Sequence, residues 1–402
     1  MAERRLGTVA ALGTAQTLAW ASSYYLPAML AAPMARELGV SVPTVFAAFS
    51  AALIVSAMLG PYAGRAIDRW GGRPVLAGTN AVFALGLAAL AAADGPVGLF
   101  AAWLIVGIGM GSGLYEAAFA ALVRLYGRSS RDAITGITLV AGFASTVGWP
   151  LSTLLEAQFG WRGACLAWAA LHLLLGMPLN LSLPKAPPLE VATADNDRPA
   201  VDDSTASAPG RHAVLLLSFV FAATWFISTA MAAHLPRLLQ AGGASLAAAV
   251  AAGALVGPAQ VGARVLEYGV LRKLHPLLSA RLAAVMHPAG AAILALLGAP
   301  AAAIFTVLHG AGNGILTIAK GTLPLVLFGP HGYGHRQGVL MVPARVAQAF
   351  SPWLFGLCLD RWGAAALWVT AALSLAAFAA LLALPRVTPA VPAHAARSAA
   401  SR

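Results

Sequence analysis

Charge is what this chain of 402 residues has least of: 25 Lys+Arg and 14 Asp+Glu make up only 10% of it. Soluble domains carry about 25%. So few charges cannot cover the surfaces of the domains that about 150 residues each would predict. Disorder is excluded as well, because 59% of the residues are hydrophobic. Cysteine is nearly absent. Cys165 and Cys358 both lie in apolar stretches, where they act as small apolar residues rather than a disulfide framework or a metal pair. There is no zinc-ligand spacing, HExxH, Walker loop, GxGxxG or GxSxG, so no cofactor or metal is expected and an enzyme is not. A transport ATPase would need a nucleotide-binding domain, and no soluble stretch is large enough to hold one. The net charge of +11 comes from basic residues in short turns, without aromatic interleaving, so nucleic acid is not an expected partner.

What is there is apolar sequence in long runs. A spanning helix needs about 20 mostly apolar residues. The runs lie at about 6–30, 42–63, 74–93, 96–122, 133–156 and 163–183, then at about 212–238, 245–268, 277–297, 300–326, 337–358 and 363–384. They do not alternate with period two, which excludes a β-barrel. The expected fold class is therefore an all-α polytopic membrane protein, with twelve transmembrane helices in two pseudo-symmetric six-helix bundles. The bundles cover 1–183 and 212–386. The segment 184–211 is a polar linker that cannot bury a core, and 387–402 is a tail of the same kind. The start, Met1-Ala-Glu-Arg-Arg-Leu, has the positive flank of a signal peptide, but the run after it is too long for one and reads as the first span.

Lys and Arg collect on cytoplasmic loops. With the N-terminus inside, that side holds Arg4, Arg5, Arg65, Arg69, Arg73, Arg124, Arg128, Arg131, Lys185, Arg198, Arg211, Arg272, Lys273, Arg281, Arg336 and the tail arginines. The other side holds Arg36, Arg162, Arg237 and Arg361. Both termini are expected in the cytoplasm, with the protein in a bacterial inner membrane and in contact with its lipid.

The halves repeat. Gly136 and Pro150 in the fifth span match Gly338 and Pro352 in the eleventh at an offset of 202. Gly111-Ser112-Gly113-Leu114 in the fourth matches Gly312-Asn313-Gly314-Ile315 in the tenth at 201. Leu26-Pro27 and Leu235-Pro236 close the first and seventh spans, and Gly60-Pro61 and Gly257-Pro258 recur in the second and eighth. Two like-oriented halves can rock about a central cavity, the geometry of alternating access.

The stretch Gly64-Arg65-Ala66-Ile67-Asp68-Arg69-Trp70-Gly71-Gly72-Arg73 resembles the signature between the second and third spans of the major facilitator superfamily. Gly64, Asp68, Arg69, Gly71 and Arg73 fit it. The resemblance extends over the chain through span count and central linker, and implies a bacterial secondary transporter of twelve helices. It also implies that this loop gates the cytoplasmic side, with Asp68 pairing with charge at helix ends. The second-half copy, 257–267, is degenerate. There Glu267 stands for the acidic residue, with Arg264 beside it. The fifth span (Gly136, Gly142, Gly148, Pro150) resembles the family's fifth-helix signature loosely and lacks the strict pattern of drug–proton antiporters. Chemically, glycines let helix ends pack closely, and an acid inside a basic run can pair differently in two conformations.

Ionisable residues inside a span are costly and tend to line cavities. Arg345, deep in the eleventh span, is either an anion-binding group or half of an ion pair. Glu116, in the fourth, is a candidate proton carrier or a partner for an arginine. In the tenth, His309, Asn313 and Lys320 fall on one helix face, a polar stripe, although the stem of Lys320 could snorkel to the cytoplasmic interface. Gln16, Trp20, Ser23, Tyr24, Trp225 and Thr229 offer hydrogen bonds and aromatic surface in the first and seventh spans; Trp20 and Trp225 are the lining candidates. The expected function is transport of a small solute, an organic or inorganic anion, by alternating access with proton coupling. Protons and the solute are the partners, and a monomer is expected. Two alternatives stand beside it: a proton-driven exporter of amphipathic or toxic compounds, and a non-transporting membrane receptor.

Overall fold

The computed structural model describes residues 2–186, 210–271 and 274–384. Most of the linker 184–211, the tail 387–402, Arg272 and Lys273 lie outside the described residues. Every regular element among the described residues is helical. Eight helical runs are long and apolar enough to cross a membrane, and two of them, Pro96–Leu181 with 86 residues and Tyr333–Ala383 with 51, are long enough for several crossings each.

The first span is two helices, α1 (Ala2–Ser22) and α2 (Leu26–Glu37). Pro27 at the start of α2 has no N–H to continue the ladder, and the N–H of Tyr25 reaches back to Trp20 O. The second span, α3 (Val42–Trp70), starts on Ser41, whose hydroxyl accepts from Thr44 N, and stops at Gly71, φ 82°. It runs past the expected end at 63, so Asp68 and Arg69 lie in the last turn of a helix rather than in a loop. The rigid turn is what allows Asp68 to be aimed. Helix α4 (Gly72–Ala91) is the third span.

The fourth span was expected as one helix over 96–122. It is broken into α5 (Pro96–Gly113) and α6 (Tyr115–Tyr126), with Leu114 extended between them. The fifth is α7 (Arg131–Ala141) and the start of α8 (Ala144–Leu171), which bends at Gly160 into the sixth. The sixth ends in α9 (Met177–Leu181). The C-terminal set is more regular. It comprises α10 (Arg211–Ala241), α11 (Leu246–Gly253) with α12 (Val256–Gly269), α13 (Pro276–Leu297), α14 (Ala302–Phe328), α15 (Tyr333–Trp362) and α16 (Leu367–Ala383).

In an apolar solvent helices associate by close packing of small residues. Gly107 and Gly111 of α5 press on the backbone of Ala52 and Ser56 in α3. Gly310 and Gly314 of α14 press in the same way on Val256 and Gln260 in α12. The two glycines between them, Gly109 and Gly312, face α4 at Phe83 and α13 at Ala283. These contacts set the repeat at an offset of 203, two residues from the match expected between Gly111 and Gly312. Glycine is so frequent here that a slid alignment still pairs glycine with glycine; packing partners remove that ambiguity.

The bundle end that carries Arg5, Arg65, Arg69, Arg124, Arg128 and Arg131 is hereafter the basic end. There the N-terminal set (α1–α9) meets the C-terminal set (α10–α16) most closely. At the opposite end the ion pairs among the described residues stay within a set: Glu37 with Arg162 at 2.6 Å, and Arg237 with Asp360. Hydrogen bonds from Arg162 and then Trp161 hold the exposed Glu37 carboxyl below the ordinary carboxylate range.

Candidate functional site

The centre of the bundle is assembled around the break in the fourth span. The extended residue frees the carbonyl of Gly113 from a regular ladder, and Gln16 Nε2 of α1 donates to it at 2.7 Å. Beyond the break, Glu116 stands in the first turn of α6, where the helix N-terminus favours a negative charge. Arg345 of α15 donates to Glu116 Oε2 at 2.8 Å and to Gln348 Oε1 at 2.9 Å. The Arg345 side chain is 3% exposed and that of Glu116 14%. This pair joins the two sets in mid-bundle.

Aromatic rings enclose the pair. Trp20 and Trp225 lie nearly parallel, centroids 6.2 Å apart, with Tyr24 and Tyr115 against Trp20. The Arg345 guanidinium is 5.1 Å from the Trp225 ring and 6.0 Å from that of Trp20. Lys320 Nζ sits 4.1 Å from the Trp225 centroid. Lys320 is buried, so its stem does not snorkel to an interface. Its backbone is held from α15, where Gln337 Nε2 donates to Lys320 O at 3.0 Å.

The cluster has unmet hydrogen-bonding groups of both kinds, Gln16 Oε1 and Gln337 Oε1 being buried acceptors without a partner among the described residues. It holds two basic side chains and one carboxylate, and that carboxylate is already bonded to Arg345. No ion pair joins Lys320 to another described residue. The indole N–H groups of Trp20 and Trp225, Gln348 Nε2 and Thr229 Oγ1 are buried without a partner. A desolvated cation–π contact is worth about 2 kcal/mol, while removing an ion from water costs several. The ring of Trp225 therefore does not by itself offset the burial of Lys320. An anion would satisfy the ammonium and the unpaired donors together.

At the basic end, the Asp68 carboxylate accepts from the N–H groups of Gly334 and His335 at 2.9 Å each. These are free N–H groups of the first turn of α15, so a charge on α3 caps a helix of the other set. Arg124 Nε donates to Asp68 O at 3.2 Å. The approach is possible only because both helices carry glycine: a Cβ on Gly64 would stand 1.9 Å from Gly334 O, and one on Gly338 2.5 Å from Gly60 O. Arg69 lies over Trp70, 5.8 Å from the ring, and Arg73 is half-buried; neither makes an ion pair with another described residue. A second contact joins α12 to α7. Glu267, 4% exposed, pairs with Arg131 at 3.0 Å, and Arg264 donates to Thr138 O at 3.0 Å. Glu267 thus stands near the end of α12 as Asp68 does in α3, but meets an arginine side chain instead of bare N–H groups.

His309 and Asn313 are not part of the central cluster. Lys320 shares their helix face, but eleven and seven residues at 1.5 Å each put it about 16 Å from His309 and about 10 Å from Asn313 along α14. His309 Nδ1 is 3.0 Å from His287 Nδ1, and Asn313 lines the same small cavity inside the C-terminal set. Gln348, Tyr115 and Arg131 were absent from the sequence candidates. Gln348 had a legible signal, one helical turn from Arg345 on the same face; Arg131 read only as a topological anchor.

The family model described as Major Facilitator Superfamily matches residues 12–331. The chain is 29% identical over 360 residues, 89% of its length and 90% of the relative's, to an uncharacterized 38 kDa protein in the 23S RNA operon of Thermoproteus tenax. Among solved structures it is similar to the proton:xylose symporter XylE bound to 6-bromo-6-deoxy-D-glucose, with TM-score 0.73, 15% identity and 96% of each chain covered. It is also similar to the human organic anion transporter MFSD10, with TM-score 0.66, 19% identity, and 94% and 99% covered. For the E. coli fucose:proton symporter FucP the values are 0.67, 14%, and 94% and 98%. With its multi-pass helical bundle, its gate signature and a family match over most of its length, this chain belongs to the major facilitator superfamily.

Proposed function

We propose that the protein is a secondary transporter of a small organic anion, driven by symport with protons. The observation that carries this reading is Lys320: a buried ammonium over Trp225, beside an Arg345–Glu116 pair, with unpaired donors around it. A substrate carboxylate would take Lys320 and one face of Arg345. Glu116, released from Arg345, would become the group that accepts the coupling proton. Trp20 and Trp225 would enclose the substrate's body. Gly64, Asp68, Arg69, Arg73, Arg264 and Glu267 would form the gate at the basic end, which on the positive-inside rule is cytoplasmic. His309 and Asn313 take no part in holding the anion. The bundles 1–183 and 212–386 would be the two rocking bodies, in a bacterial inner membrane. Among proteins of this fold, one is named an organic anion transporter and two are named proton symporters.

The test is uptake of labelled mono- and dicarboxylates into proteoliposomes under an imposed proton gradient. Accumulation of one of them, lost in Lys320→Ala while the folded yield is kept, is the expected result. Uptake of neutral solutes only, unchanged by Lys320→Ala, would overturn the reading.

A further inference from the structure

Three buried glutamines border the central cluster, and their partners fix which end of each amide is engaged. A backbone carbonyl only accepts and an arginine only donates. Gln16 therefore gives its Nε2 to Gly113 O at 2.7 Å, and Gln337 gives its Nε2 to Lys320 O at 3.0 Å. Gln348 offers its Oε1 to Arg345 at 2.9 Å. The other end of each amide, Gln16 Oε1, Gln337 Oε1 and Gln348 Nε2, is buried without a partner among the described residues. None of the three residues is more than 1% exposed.

Both engaged carbonyls are freed by the chain itself. Pro324 stands inside α14 and has no N–H for the carbonyl four residues before it, which is Lys320 O. Gln337 supplies that donor from α15. Gln16 does the same from α1 for the carbonyl at the break of the fourth span. In each case the amide nitrogen is committed to the backbone and the amide oxygen is left over.

The two ends of one amide are neighbours, so the free ends lie where their partners are. Gln16 Oε1 is beside the Gly113 carbonyl, at the break from which Tyr115 and Glu116 start α6. Trp20 is one turn further along α1. Gln337 Oε1 is beside the backbone of Lys320, and Gln348 Nε2 beside the guanidinium of Arg345. A bare carboxylate brings only acceptors. It answers Lys320, Gln348 Nε2 and the indole N–H groups of Trp20 and Trp225, and leaves both glutamine oxygens unmet. Those oxygens require a ligand that also donates. An ammonium is the wrong donor, because it would enter a cluster of two basic side chains whose one carboxylate is already bonded to Arg345. A hydroxyl donates without adding charge.

We propose that the substrate is a hydroxycarboxylate, with Gln16 Oε1 and Gln337 Oε1 as the specificity-determining acceptors of its hydroxyl groups. The carboxylate rests on the anion reading above, and the hydroxyls do not. Discrimination of this kind is strong, because an analogue without the hydroxyl leaves a buried acceptor unpaired.

The experiment is initial uptake into proteoliposomes of two series matched in carbon skeleton: propionate, lactate and glycerate, then succinate, malate and tartrate. Alanine and aspartate place an ammonium where the hydroxyl stands, and glycerol carries hydroxyls without a carboxylate. The expected result is a preference of about tenfold or more for a hydroxy acid over its parent acid in one of the series, with the amino acid rejected. Gln16→Leu and Gln337→Leu should each reduce that ratio, whereas a purely structural role would lower hydroxylated and plain acids alike. Gln16→Met and Gln337→Met take their place should the Leu variants fail to fold. Equal uptake of plain and hydroxylated acids, a preferred amino acid, or a preference that neither variant alters would overturn the inference and leave the anion reading standing. Glycerol uptake that depends on Gln16 or Gln337, with no acid taken up, overturns the anion reading and keeps the hydroxyl contacts. No uptake of any of these solutes by folded protein sinks both.

Discussion

At the residue scale, the decisive fact is an imbalance of charge. Arg345 and Glu116 form a buried ion pair, and Lys320 adds a basic group that makes no ion pair with another described residue. Removing one partner of a buried pair leaves the other uncompensated, at about 3–5 kcal/mol. Glu116→Gln should therefore lower the thermal stability of purified protein strongly, because two cations then face each other. Adding Arg345→Gln to it should recover part of the loss, so that the double variant melts above the sum of the singles. Additive losses would mean that the pair contributes little. Much of this site was legible in sequence. Glu116, Lys320, Arg345, Trp20 and Trp225 were candidates because charge and indole are conspicuous in apolar runs, and they meet in one place. Their pairing was not legible, since it depends on which helices of different sets touch. His309 and Asn313 share a helix face with Lys320 but line a separate cavity, because helical periodicity reports the face of a residue and not its depth along the helix.

At the element scale, one sequence pattern has two structural outcomes. Gly107, Gly109 and Gly111 recur as Gly310, Gly312 and Gly314, but Gly113, where the fourth span breaks, falls on Leu316 in an unbroken α14. The glycine at the break has leucine in its place in α14, and Gln16 supplies a donor to the freed Gly113 carbonyl. Gln16→Leu should strand that carbonyl and cost about 1 kcal/mol. Detergent-melting curves would register the loss, and an unchanged midpoint would show that another donor takes over. Span positions were legible from hydropathy to within a few residues, because membrane thickness sets their length. The break was not, since glycine permits a bend without requiring one. The length of α3 was missed for a related reason. Arg65, Asp68 and Arg69 look like a loop by composition, yet at a membrane surface charged residues extend a helix as readily as they end it.

At the scale of the whole molecule, the contacts that tie the sets at the basic end include two made by carboxylates, Asp68 with the start of α15 and Glu267 with Arg131. Each favours the same closed arrangement, so either alone holds part of the bias. With Cys358 replaced, spin labels at Trp70 and His331 should report a short distance in the parent protein. Asp68→Asn should add a longer population, and Asp68→Asn with Glu267→Gln should make it dominant. A double variant as closed as the parent would show that glycine packing and the bonds to backbone carbonyls, such as Arg264 to Thr138 O, hold the end together. Among the described residues the polar bonds between the sets lie at this end and at the centre, while the ion pairs of the opposite end, Glu37–Arg162 and Arg237–Asp360, each stay within one set. This asymmetry has a pharmacological consequence. A membrane-impermeant blocker wedged between the sets in this conformation has one port of entry. It should silence protein reconstituted in one orientation and spare the other, which makes vesicle sidedness, rather than affinity, the first property to control in an inhibitor screen.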